Sequence, residues 1–408
     1  MKQNNKVTGA VVFPCRIGGL AILRTLGQRG VPTIGIDSDR RGYGLSSRYC
    51  TRRVVLPYES APDERLVEGL VELGRSLPAR YVFFPTSDRV LLLLSRYRDE
   101  LARYFTFTLS DHSLLERVVS KRGTFQVTSE HGMPTPKALF PRNLPEVAAF
   151  SETVKYPCLL KALLTYSPLY SRNLSMVKVS SPEELKSTYQ VMAAVDPEIM
   201  IQEYIPGEDS QMYLYNAYFN ANSEPLLIFT GRKLRQFPID FGAGSLCECR
   251  DYPRLERLVT AFCREIRYKG LLDIGLKYDS RDDQFKLLDI NPRIGQNFRT
   301  FVTCQRGVDL ALAAYWDQIG QSIPEKIPRE GRRWIIEDAD LISSLKYRRL
   351  GRLSLWEWVK SFRGLEEFAF FSFRDPLPWM KRYSEFQLRP MWSRLKKAFA
   401  IRSVSTPA

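Results

Sequence analysis

The chain has 408 residues, of which 44% are hydrophobic and 12% aromatic, and its formal net charge is +15. This length and composition indicate two or three domains with sizeable cores. They exclude a membrane-spanning helix, because no apolar run approaches the ~18 residues that one needs. Seven scattered cysteines and two histidines argue against a disulfide framework or a zinc site. We therefore expect a reduced, cytoplasmic protein.

The N-terminal part of the chain predicts a parallel sheet. A buried-strand run at Val7–Phe13 is followed by a helical pattern at 20–27 and a second strand at 31–37. This β-α-β order is typical of parallel α/β domains. The glycines do not form the G-x-G-x-x-G fingerprint, so we expect no dinucleotide cofactor here. Where a further strand runs into a helix, Ser87 or Asp88 is predicted to be the helix cap.

Two lysines follow, one in a predicted helix and the other at the end of a predicted strand. Lys121 lies in a helical segment that begins near Asp111 and ends at Gly132, before two prolines force an extended exit. By itself it could equally be an exposed helix lysine. Lys161 ends a short apolar strand at 156–161. A lysine there is costly unless an anion pairs with it.

The next two segments have polar patterns that allow alternative interpretations. Residues 199–209 predict a strand, an extended hinge, a glycine turn and two acids, which any strand-turn-strand could also show. In residues 231–238, Lys233 and Arg235 are predicted to share one face of a strand. That face is either a solvated edge protected by charge or a phosphate-binding patch, and its position before the hairpin at 271–289 favours phosphate.

The most informative segment is this predicted hairpin folded about Arg281. The fold would place Asp273 across from Asp289, with Cβ atoms only ~5 Å apart. Asp289, Asn291 and Arg293 alternate along one strand and therefore share a face. Carboxylate and amide oxygens suit a hard cation such as Mg²⁺, and a neighbouring arginine suits phosphate. The alternative is a surface hairpin with unremarkable acids.

The order of these motifs resembles that of the ATP-grasp superfamily, of the carboxylate–amine ligase type, and D-aspartate-ligase-like enzymes in particular. The resemblance covers roughly residues 7–322. It implies an α/β and α+β fold: a Rossmann-like domain at 1–112, a two-lobed ATP-grasp domain at 113–325 with its hinge near 200–209, and a basic, Trp-rich extension at 326–408. It implies an ATP-dependent ligase that joins a small-molecule carboxylate to an amine through an acylphosphate.

The resemblance also implies roles for individual residues. Those expected to bind ATP are Lys121, Lys161, Gln202, Glu203, Ile205 and Asp209, with Glu208 as the alternative to Asp209. Those expected to hold Mg²⁺ (or Mn²⁺) are Asp273, Asp289 and Asn291, and the cations expected at the transferred phosphate are Arg293, Lys233 and Arg235. The chain departs from the usual pattern at Asp289 (normally Glu), at Ala162 after the strand lysine (normally Pro), and at 165–171, where a glycine-rich flap is usual.

The C-terminal extension carries about nine of the fifteen net positive charges and five of the six tryptophans. We favour a subdomain packed on the rest of the chain. The alternative is an interfacial segment that contacts anionic lipid, which would place the protein peripherally on the inner face of the membrane. A non-catalytic ATP-binding protein docked there is the alternative function. No recognition motif predicts specific nucleic-acid binding.

Overall fold

The computed structural model describes residues 7–163, 167–169, 171–172, 174–325 and 327–384. The chain divides into two compact units. The first comprises Met1–Leu115, Glu208–Ile274 and Asn291–Ala408, and the second comprises Glu116–Gly207 and Gly275–Ile290. The domains predicted from the sequence, 1–112, 113–325 and 326–408, are continuous in the chain, whereas these units are not. That division into three domains stays a prediction.

The strands within the described residues are β1 Val7–Phe13, β2 Thr33–Asp37, β3 Arg52–Val55, β4 Arg80–Pro85, β5 Phe105–Thr106, β6 Ala138–Leu139, β7 Cys158–Ala162, β8 Met176–Val179, β9 Ile199–Glu203, β10 Met212–Phe219, β11 Pro225–Phe237, β12 Ala243–Cys249, β13 Gly270–Asp279, β14 Gln284–Asn291, β15 Arg333–Ile335 and β16 Leu365–Phe368. The predicted strands on either side of Arg281 are therefore present as β13 and β14.

The α-helices within the same residues are α1 Ile17–Gly27, α2 Asp63–Arg75, α3 Asp88–Arg96, α4 Arg98–Leu101, α5 His112–Val119, α6 Lys121–Glu130, α7 Leu144–Ser151, α8 Pro182–Ala193, α9 Pro253–Glu265, α10 Leu310–Gln318, α11 Glu337–Arg349, α12 Leu355–Lys360 and α13 Leu377–Arg382. Within the part of the chain that the structure describes, no helix is long and apolar enough to cross a membrane.

The first unit contains a parallel sheet, as the β-α-β opening predicts. Its strand order is β3-β2-β1-β4-β5, and every neighbouring pair is parallel. Strands β1, β2 and β4 in the middle of the sheet are apolar and buried, as expected for a parallel sheet with helices on its faces, whereas the edge strand β3 is mostly exposed. Ser87 caps α3 by accepting a hydrogen bond from the backbone N–H of Val90, 3.3 Å away, which confirms the predicted cap.

The first unit also contains a larger sheet, which the C-terminal segment completes. Its order is β13-β10-β11-β12-β15-β16, with β13 contributing residues up to Ile274. Strand β15 pairs antiparallel with β12, and β16 pairs parallel with β15. Trp334 on β15 is fully buried in the apolar core of this unit. The described part of the extension is thus packed on the first unit.

The second unit is built on a small antiparallel sheet. Its order is β6-β9-β7-β8, and the register of β7 on β9 pairs Leu159 with Gln202 and Lys161 with Met200. Its core contains Leu160, Val179 and Ile201. The last part of β13 and most of β14 also belong to this unit. On β7, Leu159 and Leu160 face opposite sides of the sheet and are both buried, whereas Lys161 is half-buried.

Candidate active site

Two lysines and one carboxylate of the second unit interact electrostatically. Lys161 Nζ on β7 donates to Gln202 Oε1 on β9 at 2.5 Å. Lys121 begins α6, and its Nζ donates to the carbonyl of Ala162 at 2.7 Å. Each ammonium group is also stabilised by the negative charge of Asp289. The structure therefore brings together three residues that were predicted from separate motifs.

The ammonium groups of this cluster are poorly neutralised. Removal from water and the charge of Lys121 together lower the pKa of Lys161 to about 8, although Asp289 opposes both effects. Desolvation likewise lowers the pKa of Lys121, again opposed by Asp289. Neighbouring cations disfavour each other's charged forms. A bound polyanion such as a phosphate chain would relieve this repulsion.

We expect ATP affinity to fall as pH rises above about 8, because free Lys161 then loses the proton that phosphate binding requires. Bound phosphate raises the pKa of Lys161, so ATP binding above about pH 8 is accompanied by the uptake of a proton. Because at most one proton is taken up, the affinity for ATP falls by at most about tenfold per pH unit. The measurement is calorimetric titration with ATP in buffers of different ionisation enthalpy. Lys161→Arg should abolish the proton uptake, because arginine stays charged. Affinity that is constant from about pH 7 to about pH 9.5 would contradict this prediction.

The predicted hinge of the second unit has a side-chain anchor. Gln202 and Glu203 are buried on β9. The Glu203 carboxylate accepts from Arg281 Nη2 at 2.8 Å and from the backbone N–H of Lys137 at 3.3 Å. Arg281 also donates to Asp279 at 2.6 Å. The Glu203 side chain thus fixes β9 to the β13–β14 turn, whereas contacts of Gln202, Glu203 and Ile205 with adenine stay predictions.

Two further lysines of the second unit were missed by the sequence analysis. Lys178 Nζ lies 4.1 Å and Lys277 Nζ 5.4 Å from the ring centroid of Tyr204. Lys277 is buried, and its Nζ donates to the carbonyl of Gly207 at 2.9 Å. The signal was available, since Lys277 interrupts an apolar strand as Lys161 does. Both cations are candidates for contact with an anionic ligand near the hinge.

Asp273 of the first unit is oriented by two amides. Its carboxylate accepts from Asn291 Nδ2 at 3.3 Å and from Asn216 Nδ2 at 3.1 Å. Asn216 is fully buried on β10, and its Oδ1 has no hydrogen-bond partner in the described structure. Asn216 was missed, although a polar residue inside the apolar run of β10 was the available signal. Carboxylate and amide oxygens of this kind fit Mg²⁺ or Mn²⁺, whose other ligands would be water or phosphate oxygens.

Asp289 lies over a glycine of the second unit. A Cβ placed on Gly275 would come within 2.3 Å of Asp289 Oδ1. Only glycine at position 275 therefore allows the Asp289 carboxylate to occupy this position above β13. The predicted facing of Asp273 and Asp289, and their joint binding of a metal with Asn291, stay predictions.

Arg293 is held by residues of the first unit. Its Nε donates to Asp88 at 2.7 Å, and its Nη2 lies 3.4 Å from Asn291 Oδ1. Asp88 thus has a role besides its place in the first turn of α3. Arg293 is only half-buried. Its guanidinium therefore sits beside a predicted metal ligand, and its predicted contact with phosphate stays a prediction.

Lys233 and Arg235 have different surroundings, because the β11–β12 register shifts between them. Lys233 Nζ donates to the carbonyl of Gly242 at 3.2 Å. Arg235 is buried and donates to both carboxylate oxygens of Asp340, at 2.8 and 2.7 Å. Phosphate binding by a face that both residues share stays a prediction. A catalytic role for Arg235 is untested, but its geometry favours a structural role.

Asp209 is buried in the first unit and already hydrogen-bonded. It accepts from the backbone N–H of Asp240 at 3.2 Å and from the hydroxyl of Tyr347 on α11. Burial and this carboxylate raise the pKa of Tyr347. Glu208 is exposed. The binding of ribose by Asp209 stays a prediction, and Glu208 is the acid with more accessible oxygens.

The chain has the fold of ATP-grasp proteins, as its sequence predicted. N5-carboxyaminoimidazole ribonucleotide synthetase in its ADP complex superposes with a TM-score of 0.64, 11% identity and 86% of each chain covered. A second similar structure is the biotin carboxylase domain of 2-oxoglutarate carboxylase from Hydrogenobacter thermophilus, with MgADP and bicarbonate. Its TM-score is 0.59 at 15% identity, and the match covers 81% of this chain and 74% of that one. L-amino acid ligase from Bacillus licheniformis has a TM-score of 0.57 at 14% identity, and the match covers 80% of this chain and 76% of that one.

In sequence, the chain is similar to D-aspartate ligase from Enterococcus faecium. The two are 28% identical over 251 residues, which is 59% of each chain. The chain thus spans about three-fifths of the length of this curated relative. No protein-family profile matches the chain.

Proposed function

We propose that this protein is an ATP- and Mg²⁺-dependent ligase that joins a carboxylate to an amine through an acylphosphate. The observation that carries the proposal is the pair Lys121 and Lys161, two desolvated cations beside Asp289 in the second unit. D-aspartate ligase as a sequence relative, and nucleotide complexes among the structures of the same fold, support it.

In this proposal the protein positions and neutralises phosphate rather than forming covalent bonds with it. Lys121 and Lys161 bind phosphate oxygens of ATP. Asp273, Asp289 and Asn291 hold Mg²⁺, which when bound neutralises charge on the transferred phosphate. Lys233 and Arg293 stabilise the charge that develops there. Glu208 or Asp209 binds the ribose, and backbone groups of 202–205 contact the adenine.

The reaction has two steps. An oxygen of the substrate carboxylate attacks the γ-phosphorus of ATP, the bond to the leaving ADP breaks, and an acylphosphate forms. The amine nitrogen then attacks the acyl carbon and loses a proton, and inorganic phosphate leaves. The product is an amide. We also propose that the reaction takes place in the cytoplasm. We assign residues 1–112 to a Rossmann-like domain that precedes the ATP-grasp domain.

The test is ADP release from Mg-ATP with pooled amino acids and small carboxylic acids. D-aspartate is the first amine to test, with L-aspartate as its matched control, because the sequence relative is a D-aspartate ligase. We expect ADP release that depends on both an acid and an amine, together with a product of the summed mass less water. Failure to bind ATP would overturn the proposal.

The alternative is a non-catalytic ATP-binding protein. The shorter Asp289 and the absence of a glycine-rich run at 165–171 motivate it. This alternative predicts ATP binding that Lys161→Met weakens, with no ADP release in any pool of acids and amines. Turnover in even one pool would exclude it.

A further inference from the structure

The end of α11, the loop after it and α12 expose apolar side chains. The exposed fractions are 53% for Leu350, 54% for Leu355, 65% for Trp356 and 49% for Val359. These residues lie within ten positions of one another in the chain. Large apolar side chains this exposed and this close in sequence are unusual on a surface that faces only water.

Cations accompany these apolar side chains. Residues 346–363 carry six lysines and arginines and one acid, Glu357. That acid is used locally, since its carboxylate accepts from the backbone N–H of Ser354 at 2.7 Å and completes a capping box at the start of α12. Lys360 Nζ lies 5.1 Å from a ring centroid of Trp356. The surface is therefore both apolar and strongly positive.

The segment is anchored within the first unit through Ser361. Inside the segment, Trp358 packs edge-on against Phe362, with ring centroids 5.1 Å apart. Ser361 Oγ accepts from Arg235 Nη1 at 2.7 Å, and the carbonyl of Ser361 accepts from Arg333 Nη1 at 2.8 Å. The exposed apolar groups are thus presented by an element that is tied to Arg235 and Arg333, and they are not the frayed end of a core. Their exposed face is the outer side of the segment.

We propose that the outer side of residues 346–363 docks on an anionic phospholipid surface. Tryptophan suits the boundary between headgroups and acyl chains, where its ring is apolar and its N–H remains hydrated. Lysines and arginines beside it are attracted to negatively charged headgroups. Arg352 already pairs with Asp240 at 2.6 Å, but the cations of the segment still outnumber its one locally bonded acid, which favours lipid over a protein partner of ordinary surface charge. This inference does not depend on the proposed ligase activity.

The test is cosedimentation of the full chain with phosphatidylcholine vesicles, with and without phosphatidylglycerol. We expect binding only when phosphatidylglycerol is present, and a loss of more than about tenfold in a variant with four cations removed. The four substitutions are Lys346→Gln, Arg348→Gln, Lys360→Gln and Arg363→Gln. The matched control removes four exposed cations elsewhere, Arg40→Gln, Arg103→Gln, Arg250→Gln and Arg264→Gln, and should retain binding.

The apolar contribution is tested separately. Trp356→Ser should weaken binding to the same anionic vesicles by about tenfold, because the ring no longer enters the interface. Val191→Ser, at a side chain 57% exposed on α8, should have no effect. Absence of binding by the unaltered chain would overturn the proposal, as would equal loss in both four-cation variants. Self-association of the chain that Trp356→Ser abolishes, without lipid binding, would instead assign this side to a second copy.

Discussion

Asp289→Asn should lower the rate of ADP release by about 100-fold or more, while leaving the free energy of unfolding nearly unchanged. The carboxylate is exposed on β14, so its removal disturbs no core. It is, however, the negative charge that Lys121 and Lys161 both feel, and it is a proposed ligand of Mg²⁺. The measurement is ADP release against Mg²⁺ concentration, beside urea unfolding.

Gly275→Ala provides a second variant that leaves the charge in place. The added Cβ would displace the Asp289 carboxylate, whose Oδ1 would lie 2.3 Å from it. We expect activity to fall with Gly275→Ala as well, because position and not charge alone is required. Asp283→Asn is the matched control on the same hairpin, since Asn tolerates its positive φ of 55°. Full activity in Asp289→Asn would remove this residue from the proposed metal site.

Arg235→Gln should destabilise the first unit by about 3–5 kcal/mol, because it leaves the buried carboxylate of Asp340 without its cation. Arg235 and Asp340 are 4% and 1% exposed, and they are joined by two hydrogen bonds. The measurement is the free energy of unfolding in urea, with Lys233→Gln as the comparison. Lys233 is half-buried, so its loss should cost less stability.

The double variant Arg235→Gln/Asp340→Asn distinguishes a structural from a catalytic role. Two amides can replace the ion pair by neutral hydrogen bonds, so we expect this variant to recover part of the lost stability. If Arg235 is structural, ADP release should recover with it. A stable double variant with no ADP release would instead support the catalytic role predicted from the sequence.

Local patterns predicted the elements of this protein because they depend on short-range chemistry. The β-α-β opening predicted the parallel sheet, and the alternation of apolar residues on both sides of Arg281 predicted β13 and β14. The same patterns identified Lys161 as unusual, because a lysine that ends an apolar strand needs an anion. Lys121 was singled out by the family resemblance rather than by its local pattern. Recognition of the fold followed from the order of such motifs along the chain.

The partners of individual side chains depended on tertiary structure. Nothing near Arg235 in the sequence indicates that Asp340, 105 residues later, accepts two of its hydrogen bonds. The same holds for Asp209 with Tyr347 and for Asp273 with Asn216. The sequence by itself determined where polar groups enter apolar strands, because burial of charge is costly wherever it occurs. Only the tertiary structure decided which of these groups are neutralised internally, as Arg235 is, and which, like Lys161, are left with a depressed pKa that a ligand could restore.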